Sequence, residues 1–150
     1  MIAWLQDVWR QLIGRFRRRP LLSGPVDPEL RDVFLSELED LDASMREAMT
    51  RWQQDPRDAV ALKMLRRGFH TIKGSAGLIG ADALAEFCRA LEQMAIRIGD
   101  QSLRPTPAAV AAMGDAVKLL PAFGQAVRGR GRWPDQADAV LRRVQVVLGG

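Results

Sequence analysis

The sequence predicts an all-α fold: an antiparallel up-and-down four-helix bundle with an additional C-terminal helix and an N-terminal amphipathic helix. Apolar residues recur at spacings of three and four along successive segments, which is the pattern of a helix with one buried face. The alternation typical of strands is absent, and β-branched residues are sparse before the last segment. Proline-containing start signals divide the 150 residues into helix-length pieces with short connections, as in up-and-down bundles.

The first segment, residues 1–20, has an amphipathic pattern of its own. An apolar stripe precedes an arginine cluster, and the stripe consists of Ile2, Leu5, Trp9, Leu12 and Phe16. Because the charges follow the apolar part and no small-residue cleavage site is present, the segment does not resemble a secretory signal. Tryptophan and arginine suit a membrane surface, and docking on a partner or on the chain's own bundle is equally consistent with the pattern.

The bundle is predicted to occupy residues 27–128, after a linker at residues 21–26. Asp27-Pro28 supplies a capping oxygen followed by a proline, whose missing N–H costs nothing at the first helical position. The same start signal recurs at Asp55-Pro56, Thr106-Pro107 and, in a weaker form, Trp133-Pro134. Asp82 is expected to cap a further helix. Pro121 lies within the fourth apolar pattern and predicts a kink or an early helix end near Leu120.

Five apolar stripes mark the helix faces that would form the core, and the last belongs to an accessory helix expected over residues 133–148. The stripes are Leu30, Phe34, Leu38, Leu41, Met45, Met49 and Trp52; Ala61, Leu65, Gly68, Ile72, Ala76 and Ile79; Leu84, Phe87, Leu91, Met94 and Ile98; Val110, Met113, Val117 and Leu120; and Ala137, Val140, Leu141, Val144 and Leu148. A chain of this length can bury a substantial core.

Composition narrows the classes of function. The net charge is +4 at pH 7, and five arginines and one aspartate within residues 1–20 account for all of it. The other 130 residues balance 17 basic against 17 acidic side chains, so no nucleic-acid-binding face is expected. A single cysteine excludes a disulfide framework within the chain and fits a reducing, cytoplasmic compartment. With one histidine and one cysteine, no zinc or iron–sulfur site is expected.

The single histidine, His70, lies on the second bundle helix, on the side opposite its apolar stripe. Successive helical residues turn by about 100°. Three cations and two glycines lie within about 60° of His70 around the helix axis: Lys63, Arg67, Lys73, Gly74 and Gly77. Each interior glycine costs a helix up to about 1 kcal/mol relative to alanine, which an ordinary surface histidine does not explain. Bare backbone would let another protein approach the ring, and the cations would attract an anion, so the pattern predicts a site for a negatively charged group on His70.

Helix register brings a carboxylate to the same place. If the second and third helices pack antiparallel about a turn near residue 81, residues at equal distances from that turn face each other. His70 lies eleven residues before it and Glu92 eleven residues after it. A carboxylate opposite an imidazole can accept the Nδ1 proton, fix the tautomer and leave Nε2 nucleophilic. The alternative is that Glu92 is an ordinary solvated helix charge.

The segment 70–76, with the sequence HTIKGSA and followed by Gly80, resembles the signature of histidine-containing phosphotransfer (HPt) domains and of the related phosphoacceptor domains of chemotaxis kinases. Leu91-Glu92 is similar to the chemotaxis-kinase branch, in which a glutamate at this spacing orients the histidine. The segments 66–69 (RRGF) and 119–121 (LLP) resemble HPt domains of hybrid sensor kinases in type IV pilus chemotaxis systems. The resemblance covers roughly residues 26–128 and does not extend to residues 1–20.

The resemblance implies a helical bundle that carries a phosphorylated histidine on its second helix. His70 would accept a phosphoryl group from an aspartyl phosphate or a histidine kinase and exchange it with the aspartate of a response-regulator receiver domain. Lys73 would stabilise the phosphoryl oxygens. The partner-docking residues would be Lys63, Arg67, Gly74 and Gly77. Ser75 would either hydrogen-bond nearby or face the bundle interior.

The sequence lacks the parts that a self-sufficient kinase would need. It contains no Gly-rich phosphate loop, no Walker lysine and no acidic magnesium cluster. ATP and Mg²⁺ are therefore expected on the partner proteins, and the chain is expected to be a phosphocarrier without a cofactor of its own. The alternative function is a non-catalytic adaptor bundle that docks signalling partners or a membrane surface through its N-terminal helix.

Overall fold

The computed structural model describes residues 3–8, 10, 21–129 and 132–149, and the regular structure in these ranges is α-helical. Residues 3–8 and 10 are helical. The body of the chain contains α1 (Pro28–Gln54), α2 (Ala59–Leu78), α3 (Asp82–Gly99), α4 (Pro107–Lys118), α5 (Leu120–Arg128) and α6 (Asp135–Gly149). The prediction of an all-α fold is confirmed.

The bundle consists of α1, α2, α3 and a fourth column made of α4 and α5. Helix α2 packs against α1 on one side and against α3 on the other, while α1 also contacts α4 and α5. The C-terminal helix α6 packs on α3 and α4. Helix α2, which carries His70, is therefore held between two neighbours and presents its remaining side outward.

The helix starts follow local capping chemistry, with two departures from the sequence prediction. Asp27 caps α1 and Thr106 caps α4, as predicted. Asp55 ends α1 rather than starting the next helix, and α2 begins after Asp58, whose carboxylate accepts a hydrogen bond from the Ala61 N–H at 2.9 Å. The prediction that Asp82 caps α3 is wrong because α3 starts after Ala81 and Asp82 is its first helical residue.

The predicted break near Pro121 is confirmed. Helix α4 ends at Lys118, Leu119 separates the two helices, and α5 starts at Leu120 with Pro121 in its first turn. Proline is tolerated there because the first N–H groups of a helix have no intrahelical partner. The fourth column of the bundle can therefore change direction without losing a backbone hydrogen bond to the proline.

The core is built from the predicted stripes with few exceptions. The stripes of α2 and α3 are buried throughout, and so is Phe69, which lies next to the histidine outside the predicted stripe. Leu30, the first member of the α1 stripe, is 49% exposed instead. It lies in the first turn of α1.

Two glycines have roles that packing and backbone geometry explain. At Gly68 an added Cβ would overlap the buried Met45 side chain, so the missing side chain lets α1 and α2 approach each other. Gly80 has a φ of +76° between α2 and α3, a conformation that favours glycine. Its carbonyl accepts a hydrogen bond of 2.9 Å from the Ser23 N–H, and the nearby Leu21 is 2% exposed.

An aromatic cluster fastens the C-terminal helix to the bundle. The Phe87 and Phe123 rings lie 5.0 Å apart, and Trp133 lies 6.1 Å from Phe87 and 5.3 Å from Phe123 between ring centroids. The Trp133 indole N–H donates to Asp138 Oδ1 at 2.7 Å, which places the buried indole against the first turn of α6. These contacts join α3, α5 and α6.

The predicted N-terminal helix is described only in part. Residues 3–8 and 10 are helical, with Trp4 and Leu5 exposed, while Ile2, Trp9, Leu12 and Phe16 of the predicted stripe lie outside the described residues. None of the helices that the structure describes has both the length and the apolar character needed to cross a bilayer.

Candidate functional site

His70 lies near the middle of α2, on its solvent side and within reach of α3. Phe69 and Ile72 flank it and are buried in the core, so they fix the rotation of the helix. The side chain of His70 itself is 66% exposed. The predicted orientation of the ring, away from the core, is therefore present in the structure.

Glu92 on α3 is the carboxylate opposite the ring. Its Oε1 lies 2.7 Å from His70 Nδ1, and its Oε2 accepts a hydrogen bond of 2.6 Å from Lys73 Nζ. The Glu92 side chain is only 10% exposed, and Lys73 is 26% exposed. The register argument placed Glu92 correctly, and its alternative interpretation as a solvated charge does not describe this position.

The two donors keep Glu92 ionised. Burial by itself would raise the pKa of this carboxyl, but the hydrogen bonds from Lys73 and His70 and the lysine charge outweigh burial and lower the pKa. An ionised carboxylate can only accept hydrogen bonds, so Nδ1 of the ring must carry a hydrogen. In the neutral imidazole the lone pair then lies on Nε2, at the exposed edge of the ring.

Two further cations extend the positive side of α2. Lys63 and Arg67 are both exposed and lie two turns and one turn before His70 along the helix. Within the part of the chain that the structure describes, neither forms an ion pair with the protein. Both charges are therefore available to a molecule that approaches His70.

Gly74 and Gly77 have open space where a side chain would be. A Cβ added at either position would meet no other atom within 4 Å. Packing within the chain therefore does not require glycine at these two positions, in contrast to Gly68. Together they leave the backbone bare for two turns beyond His70.

Ser75 makes a contact that the sequence left open. Its hydroxyl donates to Glu37 Oε1 of α1, and both side chains are half-buried. Glu37 was missed by the sequence analysis because it lies outside every stripe and motif. The contact fixes the register of α1 against the C-terminal half of α2.

Exposed apolar side chains at the same end of this helix pair were also missed. Leu78, at the end of α2, is 80% exposed, and Val33 on α1 is 65% exposed. Val33 precedes Glu37 by one turn and Leu78 follows Ser75 by about one turn, so in the antiparallel pair both lie on the same side of the Ser75–Glu37 contact. A usable signal was present in the sequence, since Leu78 falls outside the apolar stripe of α2.

We call the outward surface of α2 from Lys63 to Leu78, with Val33 of α1, the histidine face. It combines an exposed imidazole, unpaired cations, bare backbone and an apolar end. No group of three or more His, Cys, Asp or Glu side chains in the described part of the chain is arranged to hold a metal ion.

The chain is similar to a known family in sequence and to a solved structure in fold. Residues 29–140 match the family model of the Hpt domain. In a crystal structure, the phosphorylated P1 domain of CheA3 in complex with CheY6 from R. sphaeroides has a similar fold, with a TM-score of 0.72 at 15% sequence identity. The similarity covers 81% of this chain and 96% of that chain. No curated protein sequence matches the chain.

Proposed function

The chain belongs to the Hpt domain family, whose members exchange phosphoryl groups between a histidine and a receiver aspartate, and we propose that His70 is its phosphoacceptor. The observation that carries the proposal is the 2.7 Å contact between His70 Nδ1 and Glu92 on a ring that is 66% exposed. The contact engages Nδ1 in a hydrogen bond within the protein and leaves the other ring nitrogen, Nε2, accessible to a partner. His70 is also the only histidine in the chain.

The proposed transfer is an in-line displacement at phosphorus. The Nε2 lone pair attacks the phosphorus of an aspartyl phosphate, the N–P bond forms, and the O–P bond to the aspartate breaks as its carboxylate leaves. No proton has to be removed from the ring because Nε2 carries none at the start. The ring becomes positively charged, and the Glu92 carboxylate beside Nδ1 stabilises that charge.

In this proposal Lys73 has a role both before and after phosphoryl transfer. Before transfer its ammonium group is bonded to Glu92, which keeps the carboxylate ionised and oriented. Lys73 lies one helical turn beyond His70, so its flexible side chain can reach phosphoryl oxygens bound at Nε2. Two negative charges, on Glu92 and on the phosphoryl group, then share the one ammonium group.

The partner that fits the histidine face is a receiver domain. The neighbour of similar fold was crystallised with CheY6. A receiver places an acidic phosphorylation site against its partner, which suits the unpaired charges of Lys63 and Arg67. Gly74 and Gly77 leave room for its loops, and Leu78 with Val33 offers apolar contact area. We propose that a histidine kinase supplies the phosphoryl group and that ATP and Mg²⁺ bind to the partner proteins.

The test is transfer of a radioactive phosphoryl group from a phosphorylated receiver to the purified chain. The label is expected to be acid-labile and stable to alkali, as a phosphoramidate is, and to be absent from the His70→Gln variant. Arg142→Gln, an exposed position on α6, serves as the matched control and should accept label normally. Label on His70→Gln would refute the assignment. A wild-type chain that binds receivers without accepting label would instead identify an adaptor.

A further inference from the structure

The N-terminal segment has no role in the proposed phosphotransfer. The family match begins at residue 29, after this segment. Residues 3–8 and 10 are helical, and their apolar side chains Trp4 and Leu5 are 67% and 46% exposed. The bundle therefore does not cover these two side chains. An exposed tryptophan beside an exposed leucine indicates a surface that is covered by something outside the chain.

The net charge of the segment indicates which kind of surface would cover these side chains. The whole net charge of +4 resides in residues 1–20, which contain five arginines and one aspartate, whereas the rest of the chain is neutral. An anionic lipid bilayer meets both features of the segment, because its acyl boundary accepts the apolar side chains and its phosphates attract the arginines. Tryptophan is also the side chain that favours the boundary between lipid and water.

The segment is joined to a defined place on the bundle. Leu21 is 2% exposed, and the Ser23 N–H donates to the Gly80 carbonyl at 2.9 Å. The chain that follows the N-terminal segment is therefore fixed to the turn between α2 and α3. Gly80 comes ten residues after His70, about 15 Å along the helix axis.

We infer that residues 1–20 bind the surface of an anionic membrane and attach the bundle to it through the α2–α3 turn. The helical residues 3–8 and 10 lie in the interface with Trp4 and Leu5 inserted, and the arginines of the segment contact lipid phosphates. The histidine face is then held close to the membrane, where a membrane-associated kinase or receiver would meet it. This inference stands apart from the phosphotransfer proposal, since either can fail without the other.

Tryptophan fluorescence of the full chain gives a direct test. Trp52 and Trp133 are 0% and 5% exposed in the core, so a blue shift on adding vesicles reports the tryptophans of the N-terminal segment. Vesicles of phosphatidylcholine with phosphatidylglycerol should produce the shift and sediment the protein. Pure phosphatidylcholine vesicles should bind it at least about tenfold more weakly, and added salt should weaken binding to the anionic vesicles.

Matched variants separate specific insertion from general adhesion. The double substitution Trp4→Ser and Leu5→Ser should reduce sedimentation with anionic vesicles by about tenfold or more, because both inserted apolar side chains are removed. Val146→Ser removes an apolar side chain that is 74% exposed on α6 and should bind as the wild type does. Failure to bind anionic vesicles, or equal binding by the double variant, would overturn the inference. So would dimerisation through the segment without vesicle binding, which would assign it to a second copy of the chain.

Discussion

The two sides of α2 carry glycines for different physical reasons. On the core side, a Cβ at Gly68 would overlap the buried Met45 side chain of α1, which would have to shift. On the histidine face, Gly74 and Gly77 have open space beside them, and alanine would improve the helix there. Gly68 therefore favours stability of the chain, whereas Gly74 and Gly77 each lower it relative to alanine. This difference supports the proposal that the histidine face accommodates a partner, whereas the core side is shaped by packing within the chain.

The largest effect on the histidine face is expected from Glu92→Gln. The neutral amide no longer stabilises the charge that develops on the ring, and it no longer fixes Nδ1–H, because an amide can donate as well as accept. We expect the rate of phosphoryl transfer to His70 to fall on the order of a hundredfold, measured by single-turnover labelling from a phosphorylated receiver.

Structural measurements on the Glu92→Gln variant must accompany the measurement of its transfer rate. Glutamine has nearly the same volume as glutamate, so the helical circular dichroism and the receiver affinity of the variant should stay close to those of the wild type. The ¹⁵N chemical shifts of the His70 ring should show a smaller fraction of the Nδ1–H tautomer. An unchanged tautomer together with an unchanged rate would remove Glu92 from the mechanism.

On the core side, the expected change is in stability and not in transfer. Gly68→Val inserts a branched side chain where Met45 already fills the space. We expect the free energy of unfolding to fall by about 2 kcal/mol, measured by urea denaturation. The fraction that remains folded should still transfer at a rate close to that of the wild type. A stable Gly68→Val variant with slow transfer would contradict the division of α2 into two functional sides.

The sequence could predict the features that follow from the helical repeat and from the short α2–α3 turn, and it failed for the contact that depends on the rotation of α1 against α2. Burial of the α2 stripe and exposure of His70 both follow from the helical repeat, and Glu92 follows from the repeat plus one short turn. Glu37 could not be found this way, because its contact with Ser75 depends on how α1 is rotated against α2. Asp55 was assigned to the wrong helix because Asp55 and Asp58 are both good caps, and the turn between them decides which one caps α2.

Gly74→Ala and Gly77→Ala should move stability and transfer in opposite directions. Each alanine is expected to raise the free energy of unfolding by about 0.5–1 kcal/mol, because it lowers the entropy of the unfolded chain and meets no internal obstacle. Transfer from a receiver should slow by up to about tenfold, since the methyl group occupies space that the partner needs. Ala111→Gly, at an exposed position of α4, is the matched control and should lower stability without affecting transfer. Alanines that stabilise the chain and leave transfer unchanged would show that no partner uses this space.

The smallest expected effect is the pH dependence that Glu92 gives to stability. The pKa of Glu92 is lowered in the folded chain: burial would raise it, but the hydrogen bonds from Lys73 and His70 outweigh burial. A carboxyl whose pKa is lower when folded stabilises the fold above its unfolded pKa, near 4.5. This contribution is lost as the pH falls through the folded value, because the folded carboxyl then also takes up its proton.

Wild type and Glu92→Gln should therefore differ more in free energy of unfolding at neutral pH than below about pH 4. Urea denaturation of both proteins across this range measures the difference. A gap that stays constant with pH would mean that the Glu92 charge contributes nothing to folding, and its contacts with Lys73 and His70 would then matter for transfer alone.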